Sequence, residues 1–272
     1  MVQWHNKFKS PNNAGIAYVA LSRSEELKDV YIKGELDRAG IHASPEALEE
    51  TNRLETIFEQ NVAKIKDTAD KHWKISYLNV RSLLGSHKED VKKDNFIMSS
   101  DVFSLAETWL KPGEVVDFDG FEGVFAGHGK GKGVSAFSKI ECSVMYSIAT
   151  EYFSSIHLRF YNFDVVFVYI SSGCNKDEIL SHFNAWIDTA WPTAIIGDFN
   201  IDYSPEEKVS KGLEMIGFQQ LIQTSTRSPS GSLIDHIYIN HSMKSLGICF
   251  QQDSTYYSDH DIITLFVSKV PK

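Results

Sequence analysis

From Trp73 onward, the chain is built from short apolar runs rich in β-branched and aromatic residues, separated by polar turns. Such runs are typical of buried β-strands, because each is too short to form a core helix. The candidate strands are Ile75–Leu78, Val102–Leu105, Gly133–Phe137, Ile156–Phe160, Val165–Ile170, Ala194–Ile196, Ile234–Ile239 and Ile262–Val267. The candidate helices between them are Asp90–Met98, Lys176–Ala190 and Pro205–Ile216. This pattern predicts an α/β fold, a two-layer β-sandwich flanked by helices.

The first 72 residues read differently. Ser44 and Pro45 are typical of a helix start, and the apolar residues that follow recur at helical spacing along one narrow stripe. We therefore expect three parts: an N-terminal segment over 1–43, a linker helix over 44–72, and the β-rich domain over 73–272.

Composition narrows the classes of protein. The formal net charge of −9 argues against a protein that coats nucleic acid generally, because such proteins usually carry a basic surface. The cysteines number 3 and form no paired-spacing motif, which favours a reducing intracellular compartment. The longest apolar run, Val165–Ile170, is too short to span a bilayer, so no membrane association is expected.

Polar residues lie at or near the ends of several predicted strands. Gly197-Asp198-Phe199-Asn200 follows one strand, and we expect its glycine to permit a sharp exit from that strand. The carboxylate and the amide are suited to orienting an attacking water. An ordinary turn is the alternative, since Asp and Asn both favour turns.

Asp235 lies in an otherwise apolar run, where an unpaired carboxylate would be costly. The imidazole of His260 would compensate it, and the acid would then fix the tautomer of the ring and raise its pKa. Taken alone, Ser258-Asp259-His260 would indicate a capping turn with a histidine whose hydrogen bonds are satisfied. Asn79 and Glu107 follow two further runs, and this oxygen-rich set favours Mg²⁺ or Mn²⁺ over zinc.

Taken in order, these motifs resemble those of the endonuclease/exonuclease/phosphatase superfamily. They are Asn79-Val80-Arg81-Ser82-Leu83, Glu107-Thr108-Trp109-Leu110, Gly197-Asp198-Phe199-Asn200, Ile234-Asp235-His236-Ile237 and Ser258-Asp259-His260. The resemblance covers roughly residues 73 to 268 and implies a DNase-I-like sandwich. The residues of the first two motifs are most similar to those of the apurinic-endonuclease-like domains of mobile elements.

The resemblance implies a role for each motif residue. Asn79, Glu107 and Asp259 would hold the metal, Asp198 would activate water, and Asn200 would help to position it. Asp235 would orient His260, which would contact the scissile phosphate together with Tyr169.

Arg81 stands where repair-type apurinic endonucleases carry an acid, which argues against abasic-site repair. Arg81 and Arg227 are candidates for contacts to substrate. So are Lys130 and Lys132 in the glycine-rich loop 127–133, which could approach a phosphate backbone or be a flexible connection with solvated lysines.

Gly15–Arg23 is similar to the last motif of Pif-class DNA helicases, in which the arginine reaches the ATP γ-phosphate. No Gly-rich phosphate-binding loop accompanies it. This predicts a helicase remnant over 1–43, as in Helitron-like fusions, with a helicase or replication-initiator portion of the same element as a possible partner. A chance match is the alternative.

The sequence therefore predicts a Mg²⁺-dependent DNA endonuclease from a mobile element, acting in the nucleus. One alternative is a phosphatase or phosphodiesterase for a soluble or lipid phosphate, because one fold hosts several activities. The other is a non-catalytic DNA-binding remnant of a decayed element.

Overall fold

The computed structural model of the protein describes residues 71–83, 87–129, 131–228 and 230–269. The predicted helicase remnant over 1–43 lies outside these residues. So does the linker helix over 44–72, apart from its last two positions, and so does Lys130.

Two six-stranded sheets make up the described part of the chain. The first contains β1 (His72–Asn79), β2 (Val102–Ala106), β3 (Glu122–Ala126), β4 (Val134–Ser138), β11 (Ile248–Asp253) and β12 (Ile262–Ser268), in the order β11-β12-β1-β2-β4-β3. The second contains β5 (Ser143–Ala149), β6 (Phe153–Arg159), β7 (Asp164–Ile170), β8 (Thr193–Asp198), β9 (Phe218–Gln220) and β10 (Asp235–Asn240), in the order β5-β6-β7-β8-β10-β9. The predicted α/β sandwich is confirmed.

Each sheet combines parallel and antiparallel pairing. β1 and β2 run parallel in the first sheet, and β7 and β8 run parallel in the second. The other pairs are antiparallel, including β8 with β10 and β1 with β12. Parallel neighbours end at the same edge of a sheet, so the residues that follow β1 and β2, and those that follow β7 and β8, come close together.

The sequence did not predict the strands at the outer edges of the two sheets. These are β3, β5, β9 and β11, and every central strand was predicted to within a few residues. Central strands are buried throughout, whereas β5 and β11 are largely exposed or half-exposed. Edge strands carry less apolar sequence because one side of their backbone and much of their side-chain surface face water.

Of the five helices in the described residues, the first four lie against the outer faces of the sheets, and the last contributes Met243 to the central core. The helices are α1 (His87–Lys93), α2 (Asn95–Met98), α3 (Lys176–Trp186), α4 (Lys208–Met215) and α5 (His241–Lys244). The predicted helix Asp90–Met98 is in fact two helices, because Asp94 leaves the helical conformation and its side chain caps the start of α2. Helix α4 begins later than predicted, at Lys208, where the side chain of Glu207 accepts from the first backbone N–H groups.

Three apolar clusters form the core. The central cluster lies between the sheets and includes Ile75, Phe167 and Ile196, all fully buried. A second cluster lies between the second sheet and helices α3 and α4, and a third lies between the first sheet and helices α1 and α2. A buried side chain of this kind stabilises the fold by about 1.5–3 kcal/mol relative to its exposed form. Each sheet therefore packs against the other sheet on one face and against helices on the opposite face.

No helix in the described residues is long and apolar enough to cross a membrane. The cysteines Cys142, Cys174 and Cys249 are all free, as their spacing predicted.

An ion pair around the buried Asp164 joins the end of β6 to the start of β7. Asp164 accepts from His157 Nε2 at 2.7 Å and from Arg159 Nη2 at 2.8 Å. Burial alone would raise the pKa of Asp164, but these two partners outweigh it and hold the pKa below the ordinary value of 3.8. A depressed pKa stabilises the folded state above the unfolded value, and this stabilisation is lost as the pH falls through the folded value.

We predict that Asp164→Asn lowers the free energy of unfolding by about 3 kcal/mol at neutral pH, because it leaves buried partners uncompensated. The decline of stability in acid should also become shallower below about pH 4. Urea unfolding at several pH values measures both effects. Glu206→Gln, which removes an exposed ion pair with Lys211, is the control and should change little. Equal effects for the two variants would contradict the prediction.

Candidate functional site

The alternation of side chains along the central strands brings the predicted site residues to one end of the seam between the sheets. In β1, Ile75 and Tyr77 face the central core, and Asn79 continues the same face. In β8, Ala194 and Ile196 do so, and Asp198 follows. Successive residues of a strand point to opposite faces, so the pattern that builds the core also aims these polar groups between the sheets.

Asn79 joins the two sheets. Its Nδ2 donates to Asp198 Oδ2 at 2.8 Å and to Glu107 Oε1 at 3.0 Å. Asn79 and Asp198 are both fully buried. Because burial of an unpaired carboxylate is costly, this amide is a main partner that allows Asp198 to lie at the seam.

Asp198 lies directly opposite Asp235 in the antiparallel pair of β8 and β10. Its Oδ1 accepts from the backbone N–H of Asn200 at 2.7 Å, while the Asn200 side chain donates to the carbonyl of Ile170 at 2.9 Å. Asn200 therefore holds the turn after β8 against the end of β7.

Gly197 has a different role from the one that the sequence indicated. We expected it to permit a sharp exit from the strand, but β8 continues through Asp198. A Cβ at position 197 would lie 2.1 Å from the carbonyl oxygen of Val168. Glycine is required here because the neighbouring strand approaches the backbone closely. The turn itself occurs at Asn200, with a φ of 48°.

Glu107 and Tyr169 meet on the other side of Asn79. The Tyr169 hydroxyl lies 3.0 Å from the carbonyl oxygen of Gly131, to which it donates, and 3.4 Å from Glu107 Oε1. The glycine-rich loop also packs on the segment after β2, because the backbone N–H of Trp109 donates to the carbonyl of Lys132 at 3.1 Å. This loop thus borders the site through its backbone.

His260 pairs with Asp235. Its Nδ1 lies 2.8 Å from Asp235 Oδ2, and both side chains are buried. Thr226 holds the backbone on both sides of this pair. Its Oγ1 accepts from the backbone N–H of Asp235 at 3.0 Å, and its carbonyl accepts from the N–H of Asp261 at 2.8 Å. Ser258 Oγ donates to the carbonyl of Asn79 at 2.6 Å and so ties this loop to β1.

Two arginines hold Asp259. Its Oδ2 accepts from Arg81 Nη1 at 3.0 Å and from Arg227 Nε at 3.1 Å. Its other oxygen, Oδ1, is buried without a hydrogen-bond partner. The Arg81 side chain is 51% exposed, so one face of the guanidinium is open to solvent.

Backbone strain is concentrated around the site. Among the described residues, those other than glycine with positive φ are Arg81, Ser82, Glu107, Trp109 and Asn200. All of them lie in the segments that directly follow β1, β2 and β8. Such conformations cost roughly 1–3 kcal/mol each and cluster where surrounding structure enforces a functional geometry.

The charged groups of the site shift one another's pKa values. Burial, and then the charge of Asp235, raise the pKa of Asp198 to about 7. Burial alone would lower the pKa of His260, but its hydrogen bond to Asp235 and the nearby carboxylates raise it to about 9. Burial opposes the charge of Asp259, yet the hydrogen bond from Arg227 and the charges of His260 and Arg81 lower its pKa. His260 is therefore a cation at neutral pH.

Two sets of side chains could hold a metal ion. Ligand atoms of Asp198, Asp235 and His260 lie within 4.8 Å of one another. In this set, His260 Nδ1 and Asp235 Oδ2 already pair with each other at 2.8 Å. The predicted set of Asn79, Glu107 and Asp259 offers only oxygen donors, which are the ligands that hard divalent cations prefer, and Oδ1 of Asp259 has no hydrogen-bond partner.

The structure brings most of the predicted site residues together. Their side-chain hydrogen bonds form three groups, one around Asn79, one around Asp259, and the pair of Asp235 and His260. Lys132 differs, because its ammonium group lies 5.5 Å from the ring centroid of Tyr152. Sequence reasoning missed Tyr77 and the support that Thr226 gives to Asp235. The one available signal for Tyr77 was its spacing, two positions before Asn79 on the same strand face.

The fold and the site define a class of hydrolytic enzymes, the nucleases and phosphatases that share this sandwich. Residues 60–260 match the model of the Endonuclease/Exonuclease/phosphatase family. The chain therefore belongs to this family. No curated protein matches it.

Solved structures show the same fold. An AP endonuclease from Archaeoglobus fulgidus superposes with a TM-score of 0.59 at 18% identity, covering 72% of this chain and 99% of that one. The endonuclease domain of TRAS1, a telomere-specific non-LTR retrotransposon, superposes with a TM-score of 0.56 at 13% identity, covering 72% of this chain and 98% of that one. The 3′-5′ exonuclease NExo from Neisseria meningitidis superposes with a TM-score of 0.54 at 19% identity, covering 72% of this chain and 99% of that one.

We predict that Gly197→Ala destabilises the protein by about 1–3 kcal/mol, because the added methyl group meets the carbonyl of Val168, a backbone atom that cannot rotate away. Gly212→Ala in α4 is the control. Its methyl group would meet the flexible end of Leu180, and alanine favours helix, so its cost should be small. Thermal unfolding of both variants distinguishes them, and equal melting temperatures would refute the close-approach argument.

Proposed function

We propose that this chain is a divalent-metal-dependent DNA endonuclease that hydrolyses phosphodiester bonds with an activated water. The observation that carries the proposal is the hydrogen-bonded contact across the seam, where Asn79 links Glu107 to Asp198 while Asp235 pairs with His260. These groups come from both sheets, and such clusters of ionisable groups with perturbed pKa values are typical of functional sites.

Asp198 is proposed to accept the proton of the attacking water. Its carboxylate is fixed by Asn79 and by the backbone of Asn200, so it is oriented before substrate arrives. The water oxygen forms a bond to phosphorus, the bond from phosphorus to the 3′ oxygen breaks, and that oxygen leaves as a 3′-hydroxyl after taking up a proton. Asn200 would help to position the water.

His260 is proposed to contact the scissile phosphate. Asp235 fixes the ring through Nδ1, which leaves Nε2 as the donor to a phosphate oxygen. The positive charge of the ring would offset the charge that builds on the phosphate during reaction. Tyr169 is proposed as a second contact to the same group.

Asn79, Glu107 and Asp259 are proposed to hold Mg²⁺ or Mn²⁺, which when bound would act as a Lewis acid toward the phosphate. Their oxygen-only donor set and the unpartnered Oδ1 of Asp259 support this assignment.

DNA is proposed as the substrate, with Arg81, Arg227, Lys130 and Lys132 as contacts to its backbone. Arg81 supports this best, because it is half-exposed beside Asp259. One neighbour in fold is described as a 3′ phosphatase bound to a product DNA hairpin, and another as the endonuclease of a retrotransposon. An origin in a mobile element, a helicase portion over 1–43, and action in the nucleus are further parts of the proposal.

Activity on plasmid DNA tests the assignment. With Mg²⁺ present, Asp198→Ala and His260→Ala should each slow nicking by a factor of about 10² or more, because each removes an interaction made in the transition state. Asp119→Ala and His182→Ala are controls for loss of the same residue types outside the site. Nicking by both site variants at the unmodified rate would show that the site is elsewhere.

The same assay distinguishes substrates. An oligonucleotide with a 3′-phosphate and an inositol phosphate are offered beside the plasmid. The proposal requires the plasmid to be cleaved, and faster release of inorganic phosphate from either small substrate would favour the phosphatase alternative instead.

Arg81→Ala should weaken DNA binding at every sequence and reduce the slope of log K against log salt by about 1, because one phosphate contact is lost. The value of KM should rise more than kcat falls. Fluorescence anisotropy across a salt series measures the slope. Lys211→Ala, which removes an exposed cation on α4, should leave it unchanged, and an unchanged slope for Arg81→Ala would remove this residue from the interface.

A further inference from the structure

Tyr77 lies at the floor of the candidate site. It is on β1, two residues before Asn79 and on the same face, and it is fully buried in the central core. None of the sequence motifs includes it. Its ring packs between the sheets, so its hydroxyl reaches the opposite sheet.

The hydroxyl binds two neighbouring strands of that sheet. It donates to the carbonyl of Val168 in β7 at 3.0 Å and accepts from the backbone N–H of Asp198 in β8 at 2.8 Å. One hydroxyl can donate and accept at once, so both backbone groups are satisfied by a side chain of the first sheet. A buried N–H or C=O without such a partner would be costly.

Two hydrogen bonds from a single strand, β1, hold Asp198 in place. Tyr77 fixes the backbone of Asp198, and Asn79 fixes its carboxylate, while both residues lie on β1. The carbonyl oxygen of Val168 that accepts from Tyr77 also lies against Gly197, the residue before Asp198. Small displacements of a reacting group have large effects on rate.

Tyr77 is a donor at any physiological pH. Burial, and then the charges of Asp198 and Asp235, raise its pKa well above the ordinary value. The hydroxyl thus keeps the proton that it gives to Val168.

We propose that Tyr77 is a positioning residue, which sets the place of the Asp198 backbone through a hydrogen bond from the opposite sheet. This inference rests on the proposed function, in which Asp198 accepts the proton of the attacking water. Tyr77 itself touches neither water nor phosphate.

Tyr77→Phe tests the proposal, with Tyr238→Phe as a matched control. Tyr238 is also buried in a central strand, β10, and among the described residues its hydroxyl bonds to Ser210 Oγ, at 3.0 Å, on the outer face of the second sheet. Both variants remove one buried hydroxyl and keep the ring. Tyr77→Phe should lower kcat roughly 10- to 100-fold with KM within about twofold, whereas Tyr238→Phe should leave both unchanged.

A double variant separates positioning from general loosening. In an Asp198→Asn background, Tyr77→Phe should lower the residual kcat no further, because the group that it positions is already disabled. If the two losses multiply, Tyr77 acts by another route and the proposal fails. Equal kcat for Tyr77→Phe and Tyr238→Phe would also overturn it.

Amide hydrogen exchange gives a readout that does not depend on activity. The Asp198 amide should exchange at least about tenfold faster in Tyr77→Phe than in Tyr238→Phe, since its acceptor is gone. Unchanged protection would overturn the inference. If the amide responds as expected but no variant, nor the unmodified protein, cleaves DNA, the positioning bond is supported while the proposed function fails.

Discussion

Burial of carboxylates at the seam between two sheets is the constraint on which the rest of this structure depends. Asp198 and Asp235 lie opposite each other with no exposed surface, an arrangement that repulsion and lost hydration oppose. The fold offsets this cost with amide donors from Asn79 and Asn200 and with a cationic ring at His260. Removing any one partner would leave the others uncompensated, so the two sheets must close for the cluster to exist.

The central architecture was predictable because it depends on strongly apolar sequence. Strands such as β7 are buried on both faces, and that requirement appears directly as an unbroken apolar run. The edge strands were not predictable, since β5 and β11 mix polar and apolar residues and a bulge interrupts the pairing of β5. Their place is decided by the neighbouring strand, which a local reading of the sequence cannot supply.

The site was predictable at the level of which residues meet, since the motifs share strand ends. The reasons for individual residues were less accessible. Gly197 looks like a turn residue, yet it is needed because a backbone oxygen lies against it. Tyr77 looks like an ordinary core aromatic, because only its hydroxyl has a special place and nothing local shows where that hydroxyl points. Contacts between sheets are invisible to patterns along one strand.

The order of the strands has a consequence for how such an enzyme comes into being. Strand β12 pairs with β1, so the last described strand completes the sheet begun by the first described strand. Asp259 and His260 lie immediately before it. A nascent chain that has been synthesised only as far as β10 would therefore carry Asn79, Glu107 and Asp198 without the imidazole of His260. The cutting activity proposed here would require synthesis to continue through β12.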